Sequence, residues 1–247
     1  MGRAHEVRAA AMAKTAAMKT KIYSRFGKEV YMAAKSGVPD PDMNLTLKRK
    51  IAEAKANQVP SDVIKRAIAK AAGGADENYI ECRYEGFGPG AATIIVDCLT
   101  DNTNRTVSAV KTCFNKSHCK VGVSGSVSFN YDNCGVLVFP YTDEEGMLDA
   151  LIMGEVDVKD IQVEDDMMTV FTAPTDFHKA QEVIEQLIPD CKFEVSEIQM
   201  IPNETTTLTS DEDKEMWNRL ITMLNEVEDV QKLFHNVVEE SLILLTQ

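Results

Sequence analysis

The sequence predicts an α+β fold: a small N-terminal helical bundle plus two ferredoxin-like α+β domains, one inserted in the other. Three observations lead there. The apolar period changes from that of a helix to that of a strand at residue 79. Charge reverses nearby: residues 1–75 carry 15 Lys and Arg against 6 Asp and Glu, a balance of +9, while the whole chain of 247 residues is −13 and its remainder −22. A full β-α-β-β-α-β order over residues 134–201 also interrupts a second set of strands and helices. The expected boundaries are a helical basic domain over 1–78, a split α+β domain over 79–131 plus 205–238, an inserted ferredoxin-like domain over 132–204, and a loose tail over 239–247.

The bundle opens with a helix over residues 5–20, rich in Ala, Met and Lys. In the next segment Ile22, Phe26, Val30 and Ala33 share one face, and Gly37 with Pro39 stops it. Asn44 caps a third helix with Leu47, Ile51 and Ala54 inward. Ser61 after Pro60 opens a fourth, carried by Ile64, Ile68 and Ala71 and ended by Gly73-Gly74. These faces are narrow and Ala-rich, so the core is thin and the lysines stay on the outer face.

Tyr79–Gly86 alternates as a strand and turns at Gly86-Phe87-Gly88-Pro89-Gly90. Ala92–Leu99 is a near-continuous apolar run, hence a central strand. The turn at Asp101–Asn104 caps a helix from about Arg105 to Lys116, and Ser126–Tyr131 reads as a further strand before a turn at Asp132-Asn133. In the insert, Val136–Phe139 is a strand and Thr142 with Glu145 forms a capping box. Val156–Val163 and Met167–Thr172 make a hairpin across Glu164-Asp165-Asp166, Thr175 starts a helix, and Phe193–Ile201 closes the unit. Strand Thr205–Thr209, a helix capped by Ser210 and strand Val230–Val237 then complete the outer domain as a second plait.

Composition excludes several classes. No apolar run reaches the ~18–20 residues of a membrane span. The start, Met1-Gly2-Arg3-Ala4-His5-Glu6, lacks the apolar region of a secretory signal, and Glu6 argues against myristoylation. Cys82, Cys98, Cys113, Cys119, Cys134 and Cys191 form no C-x-x-C pair and read as reduced, mostly buried thiols of a cytoplasmic protein. His118-Cys119 has no second pair at ligand spacing, so no metal is expected.

No acid/base pair, nucleophile with a base, or cofactor fingerprint is visible, so neither catalysis nor a cofactor is expected. Gly86–Gly90 leads into a strand rather than a helix N-terminus, which makes it a tight hairpin and not a phosphate loop. Gly122-Val123-Ser124-Gly125-Ser126 lacks the final Gly of a nucleophile elbow and reads as a mobile Gly/Ser loop. Asn102, Asn104 and Arg105 are a candidate anion site, where free N–H groups at a helix start meet a guanidinium; plain Asn capping with an Arg105–Asp101 pair is the alternative. Glu164-Asp165-Asp166 reads as a solvated turn rather than a cation site.

The stretch Arg83-Tyr84-Glu85-Gly86-Phe87-Gly88-Pro89-Gly90, then Leu99–Thr106 and Gly125-Ser126-Val127, resembles the YebC/PmpR family, which includes the mitochondrial translational activator of cytochrome c oxidase subunit I. Ala33–Gly37, Pro39-Asp40-Pro41 and Val59-Pro60 extend the resemblance, and Lys21-Ile22-Tyr23 with Asp229–Val237 favours the branch resembling YeeN. The resemblance implies a bacterial cytoplasmic protein of three domains, described in the family either as a DNA-binding transcriptional regulator or as a ribosome-associated translation factor that assists synthesis of proline-rich stretches. Two stretches depart from the family's pattern: the arm Arg3–Ala11 lacks its Trp, and Asn115–Lys120 replaces a Gly-Gly turn.

The expected function is therefore a nucleic-acid-associated regulatory factor, a DNA-binding transcriptional regulator in the first reading and a translational activator binding RNA in the second. Lys19, Lys21, Arg25, Lys28, Lys48, Arg49 and Lys50 are the expected phosphate contacts, mostly non-specific and salt-dependent. The expected partners are DNA or ribosomal RNA, with the ribosome or another protein meeting the acidic domains, and no membrane. A scaffold that meets an acidic protein and an enzyme with groups converging near Arg83, Asp101 and Arg105 are the rivals.

Overall fold

The computed structural model describes residues 3, 4, 7, 16–74 and 77–238, with the backbone alone at 16–18. The expected tail over 239–247 and most of the 5–15 segment lie outside the described residues. In chain order the elements are α1 (Ala16–Lys35), α2 (Leu45–Ala56), α3 (Ser61–Ala72), β1 (Ile80–Phe87), β2 (Thr93–Thr100), α4 (Thr103–Lys116), β3 (Lys120–Val121) and β4 (Tyr131–Pro140). There follow α5 (Glu144–Met153), β5 (Val158–Glu164), β6 (Met167–Thr172), α6 (Phe177–Leu187), β7 (Val195–Pro202), α7 (Asp211–Glu226) and β8 (Val230–His235). The fold class is the α+β one expected: a helical region, then two four-stranded sheets.

Residues 16–20 belong to the same helix as 21–35, not to a separate one, because neither Gly nor Pro interrupts the run before Gly27. Asn44 is the pivot between α1 and α2. Its Oδ1 accepts from the Leu47 N–H at 3.0 Å, while its Nδ2 donates to the carbonyls of Ala33 at 2.8 Å and Val38 at 3.1 Å. Phe26, Val30, Tyr31, Leu47, Ala54, Ile64 and Ala67 form the bundle core. Gly73 ends α3, its N–H returning to the Ala69 carbonyl.

The first sheet has the order β3-β1-β2-β8, every pair antiparallel. One face is covered by α4 and α7, through Ile94, Val96 and Cys98 against Val110, Phe114, Trp217, Leu220 and Leu224. At the β1–β2 turn the Gly88 N–H reaches the Ala92 carbonyl at 2.8 Å and Gly90 takes φ +59°, the hairpin expected. Two expected strands are absent. Residues 126–130 form a loop with a single 3-10 turn at Ser128–Asn130, since a side chain, Glu85, takes the N–H groups of Val127 and Ser128, and Tyr131 already opens β4. Residues 205–209 contribute one parallel bridge, Thr206 to Val237, before the chain turns to place Ser210 as the cap of α7. Asp132-Asn133, expected as a turn, lies inside β4.

The second sheet has the order β5-β6-β4-β7, which in the numbering of its own strands is the 2-3-1-4 order of a ferredoxin-like plait. Leu137, Phe139, Met168 and Val170 face Met147 and Leu151 of α5 and Phe177, Ala180 and Ile184 of α6. The cap of α5 is Asp143, whose Oδ1 accepts from Gly146 N–H at 3.0 Å, in place of the expected Thr142–Glu145 box. A 3-10 turn at Pro174–Asp176 precedes α6, so the helix begins at Phe177 and not at Thr175. The opposite face of this sheet, Val136, Val138, Phe171, Val195 and Ile201, is closed by Val7. Ala4 is buried too, and its N–H meets Gln162 Oε1 at 3.2 Å. Ala4 and Val7 thus pack with the second sheet, although position along the chain puts them in the helical domain.

Candidate nucleic-acid interface

The seven basic residues singled out in the bundle divide by environment. Lys21 Nζ donates to the Asn225 carbonyl at 2.9 Å, and its pKa is lowered to about 8, first by burial, with the Cys98 thiol opposing and Lys28 adding to the fall. Arg25 is buried; its guanidinium lies 4.6 Å over the Phe26 ring and its Nε 3.5 Å from Glu29. Lys28 Nζ lies 4.0 Å from Asp229 and 5.5 Å over the Tyr79 ring. Lys50 sits between Glu29 at 3.1 Å and Glu53 at 2.7 Å; burial works against its charge, but the two carboxylates outweigh it and raise its pKa. These four are engaged internally, which corrects the expectation that all seven line an outer face. Helical spacing brings Glu29 to Arg25 and Glu53 to Lys50, while Asp229 against Lys28, Glu29 against Lys50 and the Asn225 carbonyl against Lys21 come from contacts outside the residue's own helix turn.

Lys19, Lys48 and Arg49 differ. All three are exposed and have no carboxylate at ion-pair distance among the described residues. Lys65 of α3 shares both properties and escaped the sequence reading, although it stands next to the inward Ile64 and so on the outer side of an amphipathic helix.

The candidate anion site at the start of α4 is already matched in charge. Arg105 Nη2 donates to Asp229 Oδ1 at 2.9 Å and to Asp101 Oδ1 at 2.8 Å, while its Nε reaches Asp229 Oδ2 at 3.2 Å. Asp229 is buried and also accepts from Thr106 Oγ1 at 2.9 Å. Asn102 caps the helix, its Oδ1 accepting from the Arg105 N–H at 3.0 Å, and Asn104 is exposed. Two carboxylates on one guanidinium repel a third anion, so the geometry is that of a fastened helix start. Asp229 lies 124 residues from Arg105, and nothing local in the sequence foretells that pairing.

Glu85 is the other buried carboxylate that sequence reading missed. It is 3% exposed, and its two oxygens accept from Gly125 N–H at 2.9 Å, Ser128 N–H at 2.9 Å and Val127 N–H. Burial disfavours its charge, but the backbone donors outweigh that and hold its pKa below the usual carboxylate value. The Gly/Ser loop expected to be mobile is therefore tied down from within. Arg83 is bound to Asp97 through two contacts, at 2.6 and 2.8 Å, apart from the Asp101–Arg105 pair. Among the described residues no group of three His, Cys, Asp or Glu is placed to hold a metal ion, and no helix is long and apolar enough to cross a membrane. Cys98, Cys113, Cys119 and Cys134 are buried thiols, and Cys82 and Cys191 are half-buried.

Comparison with known proteins agrees with this architecture. Residues 3–74 match the TACO1/YebC protein N-terminal domain, and residues 79–237 match the TACO1/YebC second and third domain. A "probable transcriptional regulatory protein" of Marinobacter nauticus is 49% identical over 236 residues, covering 96% of this chain and 98% of its own. One of the same description from Vibrio campbellii is also 49% identical, covering 96% and 99%. The crystal structure of a conserved hypothetical protein, Aq1575, from Aquifex aeolicus matches with a TM-score of 0.74 and 31% identity, over 95% of this chain and 96% of that one. The chain belongs to the TACO1/YebC family.

Proposed function

We propose that this protein is a DNA-binding transcriptional regulator whose helical region holds duplex phosphates. One observation carries the reading: Lys48 and Arg49 of α2 and Lys65 of α3 project from a basic helical region without carboxylate partners among the described residues, in a chain whose remaining residues are strongly acidic. Lys19, in the second turn of α1, makes its own contact of the same kind. The relatives' description as transcriptional regulators supports a regulatory role. Among the described residues no zinc site accompanies these side chains, and the sequence carries no recognition-helix pattern, so the contacts read phosphate rather than base edges and set position along the duplex. The acidic remainder repels the same polyanion and orients the basic face toward it.

The test is the salt dependence of binding to a duplex DNA fragment, followed by fluorescence anisotropy. Replacing Lys48 and Arg49 together by Gln removes two phosphate contacts and should lower the slope of log K against log salt by about 1.8, at roughly 0.9 per contact. An unchanged slope in a folded double variant would overturn the assignment.

A further inference from the structure

We infer that a second copy of this chain docks head-to-tail, the outer stripe of α2 in one copy lying antiparallel along the outer stripe of α5 in the next. The inference goes beyond the duplex reading above and does not depend on it.

Helical period picks out both stripes. In α5 the side turned from the core is Glu145, Leu148, Asp149 and Ile152, all exposed and spaced i, i+3, i+4, i+7, while Met147 and Leu151 point inward. In α2 the same spacing gives Leu45, Lys48, Arg49 and Ala52, again all exposed, with Leu47 and Ala54 inward. Neither is an ordinary solvated face. Residues 142–158 hold six Asp and Glu and no Lys or Arg. Glu145 stands in the first turn of α5, where the helix dipole favours a carboxylate, but Asp149 stands beyond that turn. Ile152 is 59% exposed and Met153 86%, while Met43 and Leu45 at the start of α2 are 73% and 62% exposed. Folding gains nothing from such side chains held in water.

Each stripe carries what the other lacks. Among the described residues Glu145 and Asp149 have no cation at ion-pair distance, and Lys48 and Arg49 have no carboxylate. Set antiparallel, the stripes match along their length. Met43 and Leu45 then meet Met153 and Ile152, Lys48 meets Asp149, and Arg49 comes within a turn of Glu145. Antiparallel axes also bring opposite dipole ends together. Run parallel, Leu45 would fall on Glu145 and Lys48 on Leu148. The α5 stripe cannot pair with its own copy, since carboxylates would face carboxylates, and its charge turns away nucleic acid and anionic lipid. A contact between two different stripes is heterologous, so each copy keeps one stripe free and the assembly grows as a chain or closes as a ring. One helix pair buries less than the about 1,600 Å² of a standard interface, so the association is weak and depends on concentration.

Sedimentation velocity of the full-length protein, from about 10 to 300 µM, tests this. The mean mass of the parent should rise with concentration at low salt and fall back toward the monomer at about 0.5 M salt. Asp149→Lys and Lys48→Asp change exposed residues and should melt as the parent does. Each should weaken self-association about ten-fold or more, because like charges then face each other. Mixed in equal amounts the two variants should associate again, since each new charge meets its opposite on the other chain. Ile152→Ser should weaken association at either salt concentration. A parent monomeric throughout would leave the α5 stripe to a different, basic protein and overturn the docking. So would a mixture no more associated than its components, or an Ile152→Ser chain that associates as the parent does. Asp149→Lys leaves Lys48 and Arg49 in place and should still bind duplex DNA, so the docking can fail while the duplex reading stands. The reverse holds if the mixture associates but Lys48→Gln with Arg49→Gln leaves the DNA salt slope unchanged.

Discussion

Lys21 shows why counting basic residues overstates a nucleic-acid surface. It sits in the most basic part of the chain, yet burial, not phosphate, decides its behaviour, and its ammonium finds a backbone carbonyl instead. A lysine whose folded pKa falls from 10.5 to about 8 leaves the folded state with fewer bound protons than the unfolded state between those values. Its penalty on stability is then full below about pH 8 and is relieved as the pH rises toward 10.5. Lys21→Met should remove this rise, so the difference in denaturation midpoint between variant and parent should shrink from pH 7 to pH 10. A difference that is flat with pH would show that Lys21 is solvated. Sequence periodicity placed Lys21 on a helix correctly; what it lacked was the α7 carbonyl 204 residues away. The same distance in sequence hid the Arg105–Asp229 pair, while the local cap by Asn102 was legible because it spans three residues.

At the next level, a single carboxylate replaces the hydrogen bonds of a strand. Residues 126–131 carry the apolar alternation of a strand, and Val127 is indeed buried, but the backbone donors around it go to Glu85. The alternation reported burial truthfully at Val127 and Tyr131, but not at the exposed Phe129, and it reported pairing falsely. Strands with partners close in sequence were readable: β1 and β2 through their Gly-rich hairpin, and β5 and β6 through the turn at Asp165-Asp166, both at positive φ. Glu85→Ala leaves three N–H groups without their acceptor and should cost about 3 kcal/mol of stability. Since the folded carboxyl has a lowered pKa, the contribution is present above the ordinary value near 4.5 and fades as the pH falls through the lowered one. Urea melts at pH 7 and pH 3 check both statements: parent and Glu85→Ala should converge at the acid end.

Considered entire, the chain assigns its first residues against their order in sequence. Charge and helical period lead to the expectation of one domain over residues 1–78; within it α1, α2 and α3 share a core of Phe26, Leu47 and Ile64. Ala4 and Val7 instead close the face of the second sheet that α5 and α6 leave uncovered. A four-stranded plait with helices on one side only exposes its other side, and Val136, Val138 and Phe171 would meet water there. Short apolar residues near the chain start supply the cover, and no periodicity in a dozen Ala-rich residues signals it. Val7→Asp should therefore destabilise the plait and spare the first sheet. Val7 is 6% exposed, so a carboxylate at that position is buried without a partner and should cost about 3 kcal/mol or more in the unit it covers. Hydrogen exchange resolves the outcome by position. Amides of β4, β6 and β7 should lose protection, while those of β1, β2 and β8 keep theirs. Loss of protection in α2 and α3 with the plait unchanged would return Val7 to the helical domain and restore the boundary that charge alone suggests.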